Sequence, residues 1–167
     1  MDIEDLSREQ LLTLLKDYSR MVTAIDGYWF MAVGEKQGHD AAYERDWAVW
    51  EKAAPYEARL ISRALGIGTG VDIPTILDVL KACPTWYSLG TEVSAEGPDR
   101  GLLTMVDCSV QKNRARMGLD EFACKDIGLL TTKAYGKALN AEVKVTCKVC
   151  PPDPHPPDIW CQWQFEL

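Results

Sequence analysis

The chain has 167 residues, one domain's worth, and its 47% hydrophobic content is that of a folded globular protein, which excludes disorder and collagen-like order. Lys and Arg number 18 against 25 Asp and Glu, a net charge of -7. That balance gives no electrostatic footprint for nucleic acid and disfavours an anionic membrane surface. No apolar run is long enough for a membrane span, and Asp2, Glu4 and Asp5 stand where a signal peptide needs basic residues, so the expected location is the cytoplasm.

Residues 1–82 read as helices. Ser7 with Gln10 forms a capping-box signature ahead of a periodic apolar run, Leu11, Leu12, Leu14, Leu15, Tyr18, Met21, Val22 and Ile25. The spacing predicts one broad helical stripe that continues through Trp29, Phe30 and Val33 and stops between Gly34 and Gly38. Asp40 is expected to cap a second helix carrying Ala42, Trp47, Val49 and Trp50, with a break or restart at Pro55 and a stop at Gly66-Ile67-Gly68. A short helix follows at 74–82, with Asp72 as its N-cap. Trp29, Trp47 and Trp50 serve either as core or as the lining of a ligand pocket. Asp26 and Glu35, set among apolar residues, fit either a tuned general base or a solvated helix edge.

Residues 83–167 change to a period of two. Tyr87, Leu89, Thr91 and Val93 alternate with smaller or more polar neighbours, and the turn chemistry of residues 96–101 leads into a return strand, Leu102 to Cys108. A turn centred between Gly97 and Pro98 would oppose Val93 with Leu102, Leu89 with Val106 and Tyr87 with Cys108. In the last 25 residues Val143, Val145, Cys147 and Val149 precede a proline-rich connection, and Ile159, Cys161, Trp163 and Phe165 follow it. Centring that loop on Pro154 opposes Val149 with Ile159, Cys147 with Cys161, Val145 with Trp163 and Val143 with Phe165, so apolar meets apolar. Residues 126–140 between the hairpins have helical spacing. The expected architecture is a single α+β domain over 1–167, with N-terminal helices packed on a mainly antiparallel sheet of two hairpins joined by a crossover helix. The opposite sheet face, with Lys144, Lys148, Gln162 and Gln164, is expected to be wet.

Five of the six cysteines fall in the last 60 residues, and no signal peptide points to an oxidising compartment. The predicted register makes Cys147 and Cys161 cross-strand neighbours on the core side, with Cys108 facing the same way and Cys124 just ahead of the crossover helix, whose N-terminus favours a thiolate. Three readings stand side by side: buried thiols that only pack, a metal site, and a reactive site. Zinc is the one candidate cofactor, with Cys108, Cys124, Cys147 and Cys161 as its ligands. The C-x-x-C spacing of Cys147 and Cys150 fits a zinc knuckle, but a regular strand would point the two thiols to opposite faces. His155 reads as a surface residue of the proline-rich loop. In the reactive reading Cys161 is the nucleophile, and Lys112, Arg114 and Arg116 supply positive charge or hold a substrate carboxylate. No Ser-His-Asp pattern, P-loop or G-x-G-x-x-G fingerprint is present.

Asp26-Gly27-Tyr28-Trp29-Phe30 with Trp50, then Cys108, Arg114, Gly118 and Cys124, and the closing Cys147 to Pro154 and Trp160-Cys161-Gln162-Trp163, resemble a family of uncharacterised prokaryotic cytosolic proteins. That family is distantly similar to 2-amino-thiazoline-carboxylate hydrolases, which open a sulfur-containing ring to give N-carbamoyl-cysteine. It is also similar to small-molecule-binding domains related to vinyl reductases, which combine helices, an antiparallel sheet and cysteines. The expected function is therefore cytosolic small-molecule binding in a pocket between sheet and helices, with Cys108, Arg114, Cys147, Cys161 and Trp29 as ligand contacts. The alternative is a hydrolase of a small carboxylated cyclic amide or thiazoline-like compound, using a cysteine or cysteine-bound zinc. The partner is a small molecule, with no nucleic acid and no membrane, and exposed tryptophan around Trp160 hints at a homodimer.

Overall fold

The computed structural model describes residues 2–167. A 3-10 turn, Ile3–Asp5, precedes helix α1, Arg8–Gln37. The expected capping box starts α1: Gln10 N donates to Ser7 Oγ at 3.2 Å, and Ser7 N donates to Gln10 Oε1 at 2.8 Å. Gly38, at φ 93°, is the whole connection to helix α2, His39–Leu65, so Asp40 lies in the first turn of α2 rather than at its cap. Helix α2 also runs through Pro55 without the expected break. Ala54 and Ala58 on its inner side are wholly buried, and that packing carries the helix past the missing donor. Helix α3, Ile73–Ala82, starts as expected, with Thr75 N donating to Asp72 Oδ1 at 3.0 Å. One turn of helix, α4, Pro84–Tyr87, comes next and takes Tyr87 out of the predicted strand.

The rest of the chain is β1, Thr91–Ala95; β2, Arg100–Met105; α5, Ser109–Arg116; α6, Lys125–Leu139; β3, Lys144–Val149; and β4, Cys161–Glu166. The four strands form one antiparallel sheet in the order β1-β2-β4-β3. The fold is thus α+β, with helical N-terminal and strand-bearing C-terminal parts. Leu103, Met105, Val145, Trp163 and Phe165 make the buried sheet face, covered by α3 over β1 and β2 and by α6 over β3 and β4. Glycine sets how close α6 lies: a Cβ on Gly128 would stand 2.6 Å from the Trp163 ring, and one on Gly136 2.5 Å from Val143. Helix α2 packs on α6, and α1 is the outermost layer.

Both predicted registers shift. In the first hairpin Val93 pairs with Leu103, one residue from expectation, because Glu96 N bonds Arg100 O and leaves a three-residue loop with Gly97 at φ 79°. A one-residue shift exchanges faces, so Leu103 and Met105 enter the core while Leu102 and Thr104 stand on the outer face. In the second hairpin Val145 pairs with Phe165 and Cys147 with Trp163, a two-residue shift that keeps these side chains on their predicted face, while Val149 pairs with Gln162 of the outer face. Cys161 pairs instead with Met105 of β2. The register shifts again between Cys147 and Val149. On the outer face Lys144 and Lys148 are exposed, and Gln162 Nε2 donates to Thr104 Oγ1 at 3.1 Å.

Helix α1 departs furthest from the sequence reading. Its side against the rest of the protein mixes polar and apolar contacts: Ser19, 0% exposed, donates its hydroxyl to Pro84 O, Thr23 and Ser88 share a hydrogen bond of 3.2 Å, and Phe30 packs on Phe122. The apolar stripe faces outward, with Tyr18 67% and Ile25 58% exposed.

Candidate functional site

Five cysteines gather where α5 and α6 begin and where β3 and β4 meet. Cys124 is the N-cap of α6, and its Sγ lies 3.5 Å from Cys150 Sγ. Cys161, on β4, is within hydrogen-bond reach of Cys150. Cys108, the N-cap of α5, lies near both Cys161 and Cys124, and Cys147 is near the same two. All six cysteines are free thiols, and only Cys83 stands apart, buried beside Glu57. Cys147 and Cys161 therefore share a face as predicted, although they are no longer cross-strand partners.

Sequence periodicity excluded Cys150 from this group. The register shift after Cys147 breaks the strict alternation that would have turned Cys150 to the outer face. The loop beyond it is tied to α6: Lys125 N donates to Pro151 O at 3.0 Å, and Lys125 Nζ pairs with Asp153 at 2.6 Å.

Burial and hydrogen bonding separate the thiols. The Cys150 hydrogen bond pulls the Cys124 pKa below the ordinary thiol value, and the Gln111 amide adds to this against the opposing effect of burial. Cys150 is pushed up by those same sulfur contacts and by desolvation. Burial pushes Cys108 up to about 12, and it raises Cys147 too, where Lys125 acts in opposition. Cys124 is therefore the more acidic thiol of the cluster, and Cys150 the neighbour that holds its proton more tightly.

Gln111, 2% exposed, builds this environment and has no sequence signature. Its Nε2 donates to Phe122 O at 2.9 Å and faces Cys124 Sγ at 3.5 Å, while Phe122 N donates to its Oε1 at 2.9 Å. Phe122 in turn anchors an aromatic cluster with Phe30 at 5.2 Å, Tyr43 at 5.9 Å and His39 at 6.4 Å between ring centroids. Arg114 rests over the Phe122 ring at 5.7 Å, and its Nε donates to Asp120 O at 2.7 Å. A groove of about 410 Å³ runs along α2 past His39, Asp40, Tyr43, Glu44 and Trp47. Tyr43 joins it to the sulfurs: its hydroxyl donates to Ala123 O at 3.5 Å, and its own pKa is raised by burial and by charge on Asp126, Cys124 and Asp46. The Ser109 hydroxyl, next in sequence to Cys108, is buried without a protein partner.

The remaining predicted residues lie elsewhere. Trp29 lines a different groove, of about 700 Å³, with Ala48, Val49 and Ala53 of α2. Lys112 pairs with Asp107, and Arg116 with Asn113. His155 bonds Glu121 at 3.3 Å and packs on Trp160 at 5.1 Å. Among the described residues no group of three or more His, Cys, Asp or Glu side chains is arranged, as it stands, to hold a metal ion. Among them, too, no helix is long and apolar enough to cross a membrane.

No curated protein and no solved structure matches the chain. Residues 4–167 match DUF6125, a family of unknown function, and the chain belongs to that family.

Proposed function

We propose that this member of DUF6125 is a cytosolic small-molecule-binding protein whose site is the α2 groove together with the cysteine cluster behind it. The observation that carries the reading is Cys124 at a helix N-terminus, its thiol made more acidic by the hydrogen bond to Cys150, with Tyr43 of the groove bonded to the neighbouring Ala123 O. The ligand class is a small carboxylated nitrogen compound. Arg114 offers a guanidinium to the carboxylate, Asp40 and Glu44 favour a cationic nitrogen, and the unpartnered Ser109 hydroxyl is a free hydrogen-bonding group.

A second reading, as a hydrolase, is favoured by the contrast between Cys124 and Cys150. Adjacent groups whose pKa values are driven apart suit a nucleophile and its proton donor. The Cys124 sulfur would bond to the electrophilic carbon of a C=N or C=O group, and the π pair would move to nitrogen or oxygen and take the Cys150 proton. The adduct would then collapse, breaking the bond from that carbon to the leaving sulfur or nitrogen. Water would add to the carbon and expel Cys124 as thiolate, its protons shared between the leaving atom and Cys150. This chemistry is the one the hydrolase expectation from the sequence calls for. It gives Cys124 the role expected of Cys161, with Cys161 as a further thiol beside Cys150.

Alkylation of the native protein by iodoacetamide, followed site by site by mass spectrometry across pH, tests the shared premise. Cys124 should react first and reach its plateau at lower pH than the other thiols, and Cys83 should stay unmodified. If Cys124 reacts no faster than Cys83, both readings fail. Stoichiometric zinc in purified protein, with the cluster protected from alkylation, would replace them by the metal reading through Cys108, Cys124, Cys147 and Cys161. For turnover of a thiazoline carboxylate, Cys124→Ser should abolish the reaction. Loss in Cys161→Ser alone would return the nucleophile's role to Cys161.

A further inference from the structure

Helix α1 is inside out. Leu11, Leu15, Tyr18, Val22, Ile25 and Trp29 follow one another in alternating steps of four and three, the seam pattern of a coiled coil, and every one of them is exposed. Leu14, Met21 and Tyr28, seven apart and also exposed, widen the seam along one edge. At 100° per residue this stripe lies roughly 100° around the helix from Ser19, Thr23 and Asp26, which meet the rest of the protein. The chain thus supplies two contact faces on α1 and fills only the one that carries Ser19, Thr23, Asp26 and Phe30.

We propose that the outer face of α1 is a homodimer interface, filled by α1 of a second copy running antiparallel. Size supports a whole interface rather than a stray patch. At about half exposure apiece, these side chains present on the order of 800 Å² of apolar surface over a rise of about 27 Å, the per-partner share of a standard interface and more than monomers leave bare.

The pattern is self-complementary when the helices cross near Arg20. Leu11 then meets Trp29 of the second copy, Leu15 meets Ile25, and Tyr18 meets Val22. The groove beside Trp29, walled by Val49 and Ala53, accepts side chains from the facing helix. Charge selects the direction. Asp2, Glu4 and Asp5 outnumber Arg8 at one end of the face, whereas Lys36 and Arg45 outnumber Glu35 at the other. A parallel pair would bring the acidic ends together, and an antiparallel pair sets acid against base.

Sedimentation equilibrium on the full chain tests the proposal. The wild-type chain should be a dimer at about 100 µM, and the double variant Leu15→Glu, Ile25→Glu should be a monomer with an unchanged circular-dichroism spectrum and a dissociation constant at least about a hundredfold weaker. Neither residue is buried in the protomer, so loss of fold does not confound the result. A wild-type monomer at that concentration overturns the proposal, whether or not it binds lipid vesicles, and so does a dimer that survives both glutamates. Glu4→Lys with Asp5→Lys should weaken an antiparallel dimer about tenfold. In a parallel pair like charge would replace like charge, so an unchanged constant overturns the orientation.

Discussion

Asp46 carries the clearest electrostatic conflict in the protein. It is 5% exposed and faces Asp26 across the α1–α2 seam, with the Trp50 indole near both carboxyl groups. Burial first, and then the Asp26 charge, push its pKa from 3.8 to about 7. Between those values the native chain holds a proton that the unfolded chain has released, so the group's stabilisation is complete below pH 3.8 and declines as pH rises through 7. Asp46→Asn keeps an acceptor for Trp50 and removes the titration. Its stability should be little changed near pH 4 and higher than wild type at pH 8 by about 1–3 kcal/mol, as thermal melts at both pH values would show. Gln111 makes the converse test. In Gln111→Glu an acceptor replaces the amide that serves Phe122 O and Cys124, and a negative charge is added. The Cys124 alkylation profile should move to higher pH, with a stability loss of about 2 kcal/mol in denaturant titrations.

Helix boundaries set by local chemistry were legible in the sequence. Ser7 with Gln10, and Asp72 with Thr75, form the caps their spacing implies. Strand order and pairing were harder because register depends on loop geometry: one extra loop residue at Gly97–Asp99 was enough to exchange the faces of Leu102 and Leu103. The long proline-rich connection constrains the second hairpin less. The apolar alternation therefore identified the buried face correctly and the partners wrongly, since a two-residue slip matches the same pattern. Position 148 follows from this. The register shift there turns Cys150 toward Cys124, so chain length at that point should matter more than the lysine side chain. Lys148→Ala should leave the alkylation profile of Cys124 unchanged. Inserting one residue after Lys148 should turn Cys150 to the outer face and abolish the advantage of Cys124 over the other thiols.

For the molecule as a whole, an amphipathic pattern reveals which side of a helix is apolar but not whether the protein covers it. That is why the leucines of α1 read as core and stand outside. The shared face of Cys147 and Cys161 was legible because they alternate on the core side of two strands, whereas Cys150, Gln111 and Tyr43 were not, since no periodicity marks a bulge or a residue that acts by reaching a distant loop. The cysteine cluster and the outer face of α1 share no residue. The Leu15→Glu, Ile25→Glu chain should therefore retain the thiol chemistry while losing its partner. A helix with its drier side outward makes abundance a structural variable. At high concentration the leucines are shielded, but under dilution each newly separated chain displays the sticky signature by which chaperones and proteases recognise damaged proteins.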